Sequence, residues 1–348
     1  MKALVYKGKG KINLEEKPKP VIKKTTDAII RVTLATICSS DIHILHGAVP
    51  RAVPGVTLGH EFVGIVEKVG ADVKNVSPGD RVAVNVETFC GECFFCKRGY
   101  VNNCTDEEGG WALGCRIDGG QAEYVRIPFA DQGLTKIPEE VSDEEALFTG
   151  DLLSTGYWAA QLSEIQSGDT VVVIGAGPAG LCTMLCARLY HPKQIIAIDC
   201  LEERLEFAKE NRMADITIVS GELRKIEQEI KDLTGGRGAD AVIEAAGGTD
   251  TFKMAWRIAR PNAVIMLEAM YEKPQTLPLP DMYGKNLIWK SGGVDACNCK
   301  EIIELIREGK INATPLITHT CKFSEIEQAY NIFENHKDNV IKYAIYPE

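Results

Sequence analysis

The sequence predicts an α/β chain of two domains, the first built from short strands and the second a doubly wound parallel sheet. Three observations carry this. Strand-length segments separated by Gly and Pro fill the first part of the chain, up to about residue 130. From about residue 168, apolar β-branched runs alternate with helix-length segments. At the head of that second part, Gly175-Ala176-Gly177-Pro178-Ala179-Gly180 follows one such run and opens a helix. A length of 348 residues gives each of two domains enough chain to bury its own core.

Taken in order, Ala28-Ile29-Ile30-Arg31-Val32-Thr33-Leu34 reads as a strand, and so does Phe62-Val63-Gly64-Ile65-Val66-Glu67-Lys68-Val69. Ser77-Pro78-Gly79-Asp80 is a turn leading into the strand Arg81-Val82-Ala83-Val84. Strands at this spacing predict a β-rich, barrel-like domain. Ser142-Asp143-Glu144-Glu145 has the spacing of a capping box and predicts a helix start. Val171-Val172-Val173-Ile174 is uniformly β-branched, as expected of a strand covered on both faces. A helix over Leu181 to Leu189, a strand over Ile195 to Ile198 and a helix over Glu202 to Asn211 follow. Ala241 to Glu244 and Ala263 to Leu267 continue the strands. The tail holds a helix, Lys300 to Glu308, and a strand-like end, Val340 to Ile345, expected to return to the first domain.

Composition excludes several classes. A net charge of −10 opposes binding to nucleic-acid phosphates. No apolar run reaches the roughly 20 residues that span a bilayer. The start, Met1-Lys2-Ala3-Leu4-Val5-Tyr6, has no signal-peptide pattern, so a cytoplasmic protein is expected. Twelve cysteines in such a chain point to metal binding before disulfides.

Gly175, Gly177 and Gly180, with Pro178 between them, let backbone amides approach a pyrophosphate at a helix N-terminus. Asp199 lies 19 residues beyond Gly180, at the end of the next strand. A carboxylate there accepts hydrogen bonds from the adenosine ribose and repels a 2′-phosphate, which favours NAD over NADP. Arg204 reads either as a solvated helix residue or as a phosphate-binding cation.

Cys90, Cys93, Cys96 and Cys104 lie on one short loop with Gly91 and Gly99. Four thiolates there can close around Zn²⁺ as a structural site, or hold an iron–sulfur cluster. A second set is dispersed: Cys38, His60 and Asp151, with Glu61 beside the histidine. A thiolate, an imidazole and a carboxylate would leave a fourth zinc position open to substrate or water. Each also has a plain reading: a small buried thiol, a surface histidine, a helix cap.

Cys38-x-Ser40-Asp41-x-His43, Gly59-His60-Glu61, the four-cysteine loop and the glycine pattern, in this order, resemble the zinc-dependent medium-chain alcohol dehydrogenases. The resemblance runs through Ser324-Glu325-Ile326-Glu327-Gln328-Ala329-Tyr330. It is similar to the bacterial alcohol and formaldehyde-dehydrogenase-like branch in Gly110-Trp111-Ala112-Leu113-Gly114, Asp118-Gly119-Gly120-Gln121-Ala122-Glu123-Tyr124 and Asp151-Leu152-Leu153-Ser154-Thr155-Gly156-Tyr157. Aspartate as third ligand is similar to the bacterial secondary alcohol dehydrogenases, which commonly prefer NADP and often lack the four-cysteine loop. The resemblance implies a GroES-like catalytic domain over 1–152 and 292–348 and a Rossmann NAD-binding domain over 153–291. It also implies two zincs per subunit, one catalytic and one structural, and a homo-oligomer, tetramer before dimer.

The residue roles it implies are these. Zinc on Cys38, His60 and Asp151 acts as a Lewis acid on the substrate oxygen, lowering a hydroxyl pKa from roughly 16 toward about 7. Ser40 takes the alcohol proton and passes it by way of the cofactor ribose to His43. Asp41 orients His60, and Glu61 approaches the zinc during ligand exchange or balances charge. Thr155 lies against the nicotinamide; Trp111, Val49 and Val86 are candidates for the pocket wall. Glu268 stands where the resemblance implies a small or apolar residue beside the nicotinamide. The expected reaction is hydride transfer between a primary or secondary alcohol, or the matching aldehyde or ketone, and NAD(H). Polyols, vicinal diols and amino-alcohols such as threonine form the rival substrate class. A zinc- and NAD-binding protein without turnover is the alternative from another class.

Overall fold

The computed structural model describes residues 1–347. The chain divides into two compact units, Met1–Ser154 joined by the stretch from Asp295 onward, and Thr155–Val294.

The first unit opens with the hairpin β1 (Lys2–Gly8) and β2 (Lys11–Glu16), then β3 (Ala28–Ala35), the short helix α1 (Ser39–Leu45), β4 (Phe62–Val69) and β5 (Arg81–Val84). β6 (Glu87–Thr88), β7 (Gly110–Trp111), β8 (Tyr124–Ile127), α2 (Ala130–Gly133), β9 (Leu134–Lys136) and α3 (Asp143–Ala146) follow. The capping box is present at α3: Ser142 Oγ accepts the Glu145 amide at 3.2 Å, and Glu145 Oε2 accepts the Ser142 amide at 2.8 Å.

Helix α4 (Leu152–Leu162) leads into the second unit. There the chain alternates β10 (Thr170–Ile174), α5 (Pro178–Ala187), β11 (Gln194–Asp199), α6 (Glu202–Glu210), β12 (Ile216–Val219), α7 (Leu223–Leu233), β13 (Ala239–Glu244), α8 (Thr249–Ile258) and β14 (Ala259–Leu267). The short α9 (Leu279–Met282) and β15 (Ile288–Ser291) complete it. The tail adds α10 (Cys299–Arg307), β16 (Ile317–Lys322), α11 (Ile326–Glu334) and β17 (Lys342–Tyr346) to the first unit.

The second unit is a six-stranded sheet in the order β12-β11-β10-β13-β14-β15, every pair parallel. Val171, Val172 and Val173 are fully buried, as a central strand covered on both faces requires. The order reverses between β10 and β13, and ligands of such sheets bind outside the strands' carboxyl ends at that point. Helix α5 begins at Pro178, three residues before the expected Leu181. Proline at the first helical position loses no hydrogen bond and is preset in φ.

The first unit holds a sheet in the order β16-β17-β3-β4-β5-β9, with β8 also paired to β3. Ile30, Val32, Phe62, Val66, Val82, Leu113 and Val125 pack into its core. The terminal strand β17 lies antiparallel to β3, with Ile345 opposite Ala35. That pairing carries Lys342 into the interior, where it donates to Ile37 O at 2.7 Å.

Candidate metal centres and dinucleotide site

Three loops of the first unit meet around His60. Cys38 caps α1 in extended geometry, and its amide donates to Asp41 Oδ2 at 3.0 Å, closing the first turn. Gly59, at φ +91°, delivers His60; a Cβ there would stand 2.7 Å from the Gln121 amide nitrogen. Gly150 allows Asp151 to approach: a Cβ at Gly150 would lie 1.8 Å from Val84 O.

Cys38 Sγ is 3.7 Å from Asp151 Oδ2, and His60 Nε2 is 3.3 Å from the same oxygen. One ligand atom from each of the three residues falls within 4.8 Å of the others. Zinc bonds of about 2.3 Å to sulfur and about 2.1 Å to nitrogen or oxygen, set tetrahedrally, place such atoms roughly 3.4 to 3.6 Å apart. The set fits one zinc ion with a fourth position left over.

The imidazole is oriented from behind. Asp41 Oδ1 lies 3.2 Å from His60 Nδ1, an ion-pair distance whose direction is off line for a good hydrogen bond. Assigning the proton to Nδ1 turns the Nε2 lone pair toward Cys38 and Asp151. Gln121 holds Asp41 in turn, donating to its Oδ2 at 3.2 Å, and Tyr330 donates to Gln121 Oε1 at 2.8 Å. Ser40 Oγ sits 3.1 Å from Cys38 Sγ and 3.0 Å from His60 Nε2. His43 follows on α1, half-buried and near its C-terminal end.

The charges here are buried and interdependent. Burial, aided by Glu61 and Asp151, pushes the Cys38 thiol up. Burial opposes protonation of His60, but Asp41, Asp151 and Cys38 hold it well above its ordinary range. Burial would raise Asp151, yet His60 keeps it low. Metal binding to this set therefore releases protons. Glu61 and Lys342, each with 1% of its side chain exposed, form an ion pair. Burial raises the Glu61 carboxyl, and Lys342 opposes that.

Trp111 is buried with its ring edge-to-face with His60 at 5.5 Å, and the Arg51 guanidinium lies 5.0 Å from the Trp111 ring centre. Val86 is buried, its amide donating to Gly150 O at 2.9 Å beside Asp151, and Val49 is buried on the turn after α1. Sequence reasoning missed Lys342, Gln121 and Tyr330 as supports of the site. The available signal was a single lysine inside the apolar run Val340 to Ile345. It also missed Glu87, 3% exposed, whose carboxyl burial pushes up to about 8, with Arg51 opposing and Asp151 and Asp295 adding to the rise.

The four cysteines of the loop from Cys90 to Cys104 converge as well. Sγ atoms of Cys93 and Cys96 are 3.4 Å apart, those of Cys90 and Cys104 3.7 Å, and those of Cys90 and Cys96 4.0 Å. Four thiolates at about 2.3 Å from one zinc stand roughly 3.8 Å apart, whereas a disulfide would need about 2.05 Å. In an iron–sulfur cluster the four thiolates are spread over two or four irons; four sulfurs this close fit a single ion better.

In the second unit, Gly180 packs against the loop: a Cβ there would fall 1.9 Å from Gly175 O. Gly175 takes φ +103°, and Gly177 caps α5 with Pro178 next. This tight turn aims the first amides of α5 outward, as a pyrophosphate requires. Asp199 Oδ2 accepts the Ala176 amide at 2.7 Å, and Oδ1 accepts the Leu201 amide at 2.9 Å. Each oxygen keeps a second lone pair for a ribose hydroxyl. A Cβ on Gly177 would lie 3.6 Å from an Arg204 guanidinium nitrogen, so the half-buried Arg204 stands beside the glycine loop. Gly156 packs closely on α5, its would-be Cβ 2.7 Å from the Thr183 amide nitrogen, which sets the neighbouring Thr155 near that helix.

These features meet those of known proteins. Residues 24–139 match the alcohol dehydrogenase GroES-like domain, and residues 178–307 match the zinc-binding dehydrogenase domain. An alcohol dehydrogenase of Cupriavidus necator (strain ATCC 17699) is 36% identical over 100% of this chain and 99% of its own. The NADP-dependent isopropanol dehydrogenase of Thermoanaerobacter brockii is 32% identical over 98% of each. The solved apo form of zinc dependent alcohol dehydrogenase 2 from Streptococcus pneumonia superposes with a TM-score of 0.94 at 38% identity, covering 100% of this chain and 99% of that one. The chain is a zinc-binding, nucleotide-dependent oxidoreductase. It belongs to the zinc-dependent medium-chain alcohol dehydrogenase family, with a GroES-like domain and a Rossmann domain.

Proposed function

We propose that this alcohol dehydrogenase uses NAD and carries two zincs per subunit, one held by Cys38, His60 and Asp151 and one by Cys90, Cys93, Cys96 and Cys104. The convergence of Cys38, His60 and Asp151 on one point, with a fourth position left over, carries the catalytic part of this reading. Zinc there would supply Lewis acidity to an alcohol or carbonyl oxygen. Ser40, within hydrogen-bond distance of the ligand set, receives the alcohol proton, and His43 on the same helix hands it to solvent. Asp41 fixes the His60 tautomer, and Glu61 with Lys342 balances charge behind it. Trp111 and Val86 form the pocket wall near the ligands, and Val49 contributes from the turn after α1.

NAD rests on Asp199, whose two oxygens are anchored with lone pairs to spare. Arg204 beside Gly177 then serves the pyrophosphate instead of a 2′-phosphate. The Thermoanaerobacter brockii relative is NADP-dependent by name, so this choice needs its own test. A cytoplasmic homo-oligomer, tetramer before dimer, completes the reading; the outer edge of β15 and the exposed Tyr283 and Ile288 support self-association.

The deciding experiment assays primary and secondary alcohols, diols and aldehydes with NAD and with NADP, alongside zinc analysis. Two zincs per chain and NADH formation from simple alcohols are expected, with Cys38→Ala losing one zinc and turnover. One zinc per chain, unchanged by Cys38→Ala, would remove the catalytic centre. Faster turnover of diols than of simple alcohols would move the substrate to the polyol class.

A further inference from the structure

Helix α11 reaches three segments of the first unit from one face. Glu327, Tyr330 and Glu334 follow one another at intervals of three and four residues, the spacing that lines up side chains on one side of a helix. Glu327 Oε1 accepts the Leu14 amide of β2 at 2.8 Å. Glu334 Oε1 lies 2.6 Å from Nε2 of His46, the residue that ends α1. Between them, Tyr330 donates to Gln121 Oε1 at 2.8 Å. The two outer contacts are at the surface. The middle one is buried, with Tyr330 2% and Gln121 0% exposed.

Gln121 joins this helix to His60. Its Nε2 donates to Thr36 O at 3.0 Å and to Asp41 Oδ2 at 3.2 Å. Both partners are acceptors, so the amide stands with its nitrogen toward them and its oxygen toward Tyr330. Asp41 Oδ1 is in turn 3.2 Å from His60 Nδ1. The main chain of Gln121 bears on the same histidine. Its amide donates to Leu58 O at 2.9 Å, and a Cβ on Gly59 would meet Gln121 Cγ at 2.5 Å. One residue thus touches both the backbone that delivers His60 and the carboxylate behind its ring. Among the described residues, Tyr330 is the one donor to Gln121 Oε1. Burial, with the Asp41 charge adding to it, pushes the Tyr330 hydroxyl well above its ordinary range, so it stays a donor. Without that hydroxyl a buried carbonyl oxygen has no partner, and movement of the amide is the available relief. Such movement withdraws a donor from Asp41 and frees its carboxylate to turn away from the imidazole.

We propose that Tyr330 is a positioning residue for metal retention: acting through Gln121 and Asp41, it holds the His60 imidazole in the orientation that binds the ion, and so ties the zinc affinity of the Cys38, His60 and Asp151 set to the docking of α11. This rests on the reading of those three residues as zinc ligands. The coupling is long in sequence, since Tyr330 lies 209 residues beyond Gln121.

The test follows zinc loss from the full-length, zinc-loaded protein to the chromogenic chelator pyridylazoresorcinol, without substrate or cofactor. Cys38→Ala identifies the release phase of the three-residue set, and Cys104→Ser that of the cysteine loop. Tyr330→Phe keeps the ring and removes the hydroxyl; Gln121→Met keeps the length and removes the amide. Release from the Cys38 set should be roughly tenfold faster in Tyr330→Phe and at least as fast in Gln121→Met, with the cysteine-loop phase unchanged. In the Gln121→Met background, Tyr330→Phe should add less than about twofold, because its route to Asp41 is gone. A general loosening of the domain would speed both phases alike. That outcome, like release at the parental rate or full additivity of the two substitutions, would overturn the inference. Should Tyr330→Phe fail to fold, Gln121→Met decides alone, and parental release from the Cys38 set in that variant sinks the idea. If Cys38→Ala removes no phase from the unsubstituted pattern, the zinc reading of the three residues fails instead.

Discussion

Replacing Cys104 by Ser should detach the four-cysteine loop without unfolding the domain that carries it. From Cys90 to Cys104 the chain is fifteen residues long, and Val101 is the one fully buried large apolar side chain within it. Phe94 and Tyr100 are 60% and 52% exposed. Burying one valine contributes about 1.5–3 kcal/mol. Ordering the backbone costs about 1–2 kcal/mol per residue. Local packing therefore falls short by roughly an order of magnitude, and metal ligation, worth about 10–16 kcal/mol in small zinc modules, has the size needed to close most of that gap. The sheet does not share the dependence, because β3, β4 and β5 bury their own core. Cys104→Ser should thus lower zinc content from two to one per chain. Hydrogen exchange should rise across residues 90–104 while β3 and β4 stay protected, and trypsin should cut at Lys97 or Arg98. A variant that loses its zinc yet keeps this loop protected would refute the argument that the metal is its core.

Three further outcomes are expected. Asp199→Gly should raise the preference for NADP over NAD by tenfold or more and also loosen the glycine loop, because the Ala176 amide loses its acceptor; kcat/KM with both cofactors measures this, and an unsubstituted enzyme already faster with NADP would contradict it. Lys342→Met should lower unfolding stability by about 3–5 kcal/mol through the uncompensated Glu61 carboxylate, with Glu61→Gln restoring most of the loss in the double variant; a single variant as stable as the parent in urea would show that the pair is not needed. Glu108 meets Lys24 at 2.9 Å and pairs with Arg126; burial acts to raise its carboxyl, but these two partners hold it below the ordinary range. A carboxyl depressed on folding stabilises above its unfolded pKa of about 4.5 and loses that contribution as pH falls through the folded value. Glu108→Gln should therefore lower the urea midpoint at pH 6, the gap narrowing only as pH falls below the ordinary carboxyl range and through the depressed folded value; a constant gap would assign the effect to packing.

What could be read from the sequence was what is local in it. The cysteine loop and the glycine turn each draw their groups from within fifteen residues, so spacing and local context mark a metal-binding loop and a phosphate-binding turn, though not which metal. The β-branched run Val171 to Ile174 names a buried strand for the same reason. Cys38 and Asp151 are 113 residues apart, and no periodicity predicts that they meet. Order of motifs and family resemblance brought them together; spacing could not. Lys342 was invisible as a partner of Glu61, because a strand 281 residues away had to pair with β3 before the lysine could reach the interior. Helix and strand starts moved by a few residues where proline or sheet pairing set them, as at Pro178 and at β14, which begins at Ala259.

Charge explains why a residue so remote belongs to the site. Cys38 and Asp151, bound as thiolate and carboxylate, would cancel the two charges of one zinc ion. Asp41 and Glu61, both 1% exposed or less, then add two negative charges that water cannot screen. Asp41 is answered in part by the His60 Nδ1 proton and by Gln121. Glu61 has Lys342 and nothing else among the described residues that can donate to it. Sheet pairing of β17 with β3 therefore carries an electrostatic consequence: it brings in the ammonium group that pairs with the Glu61 carboxylate beside His60.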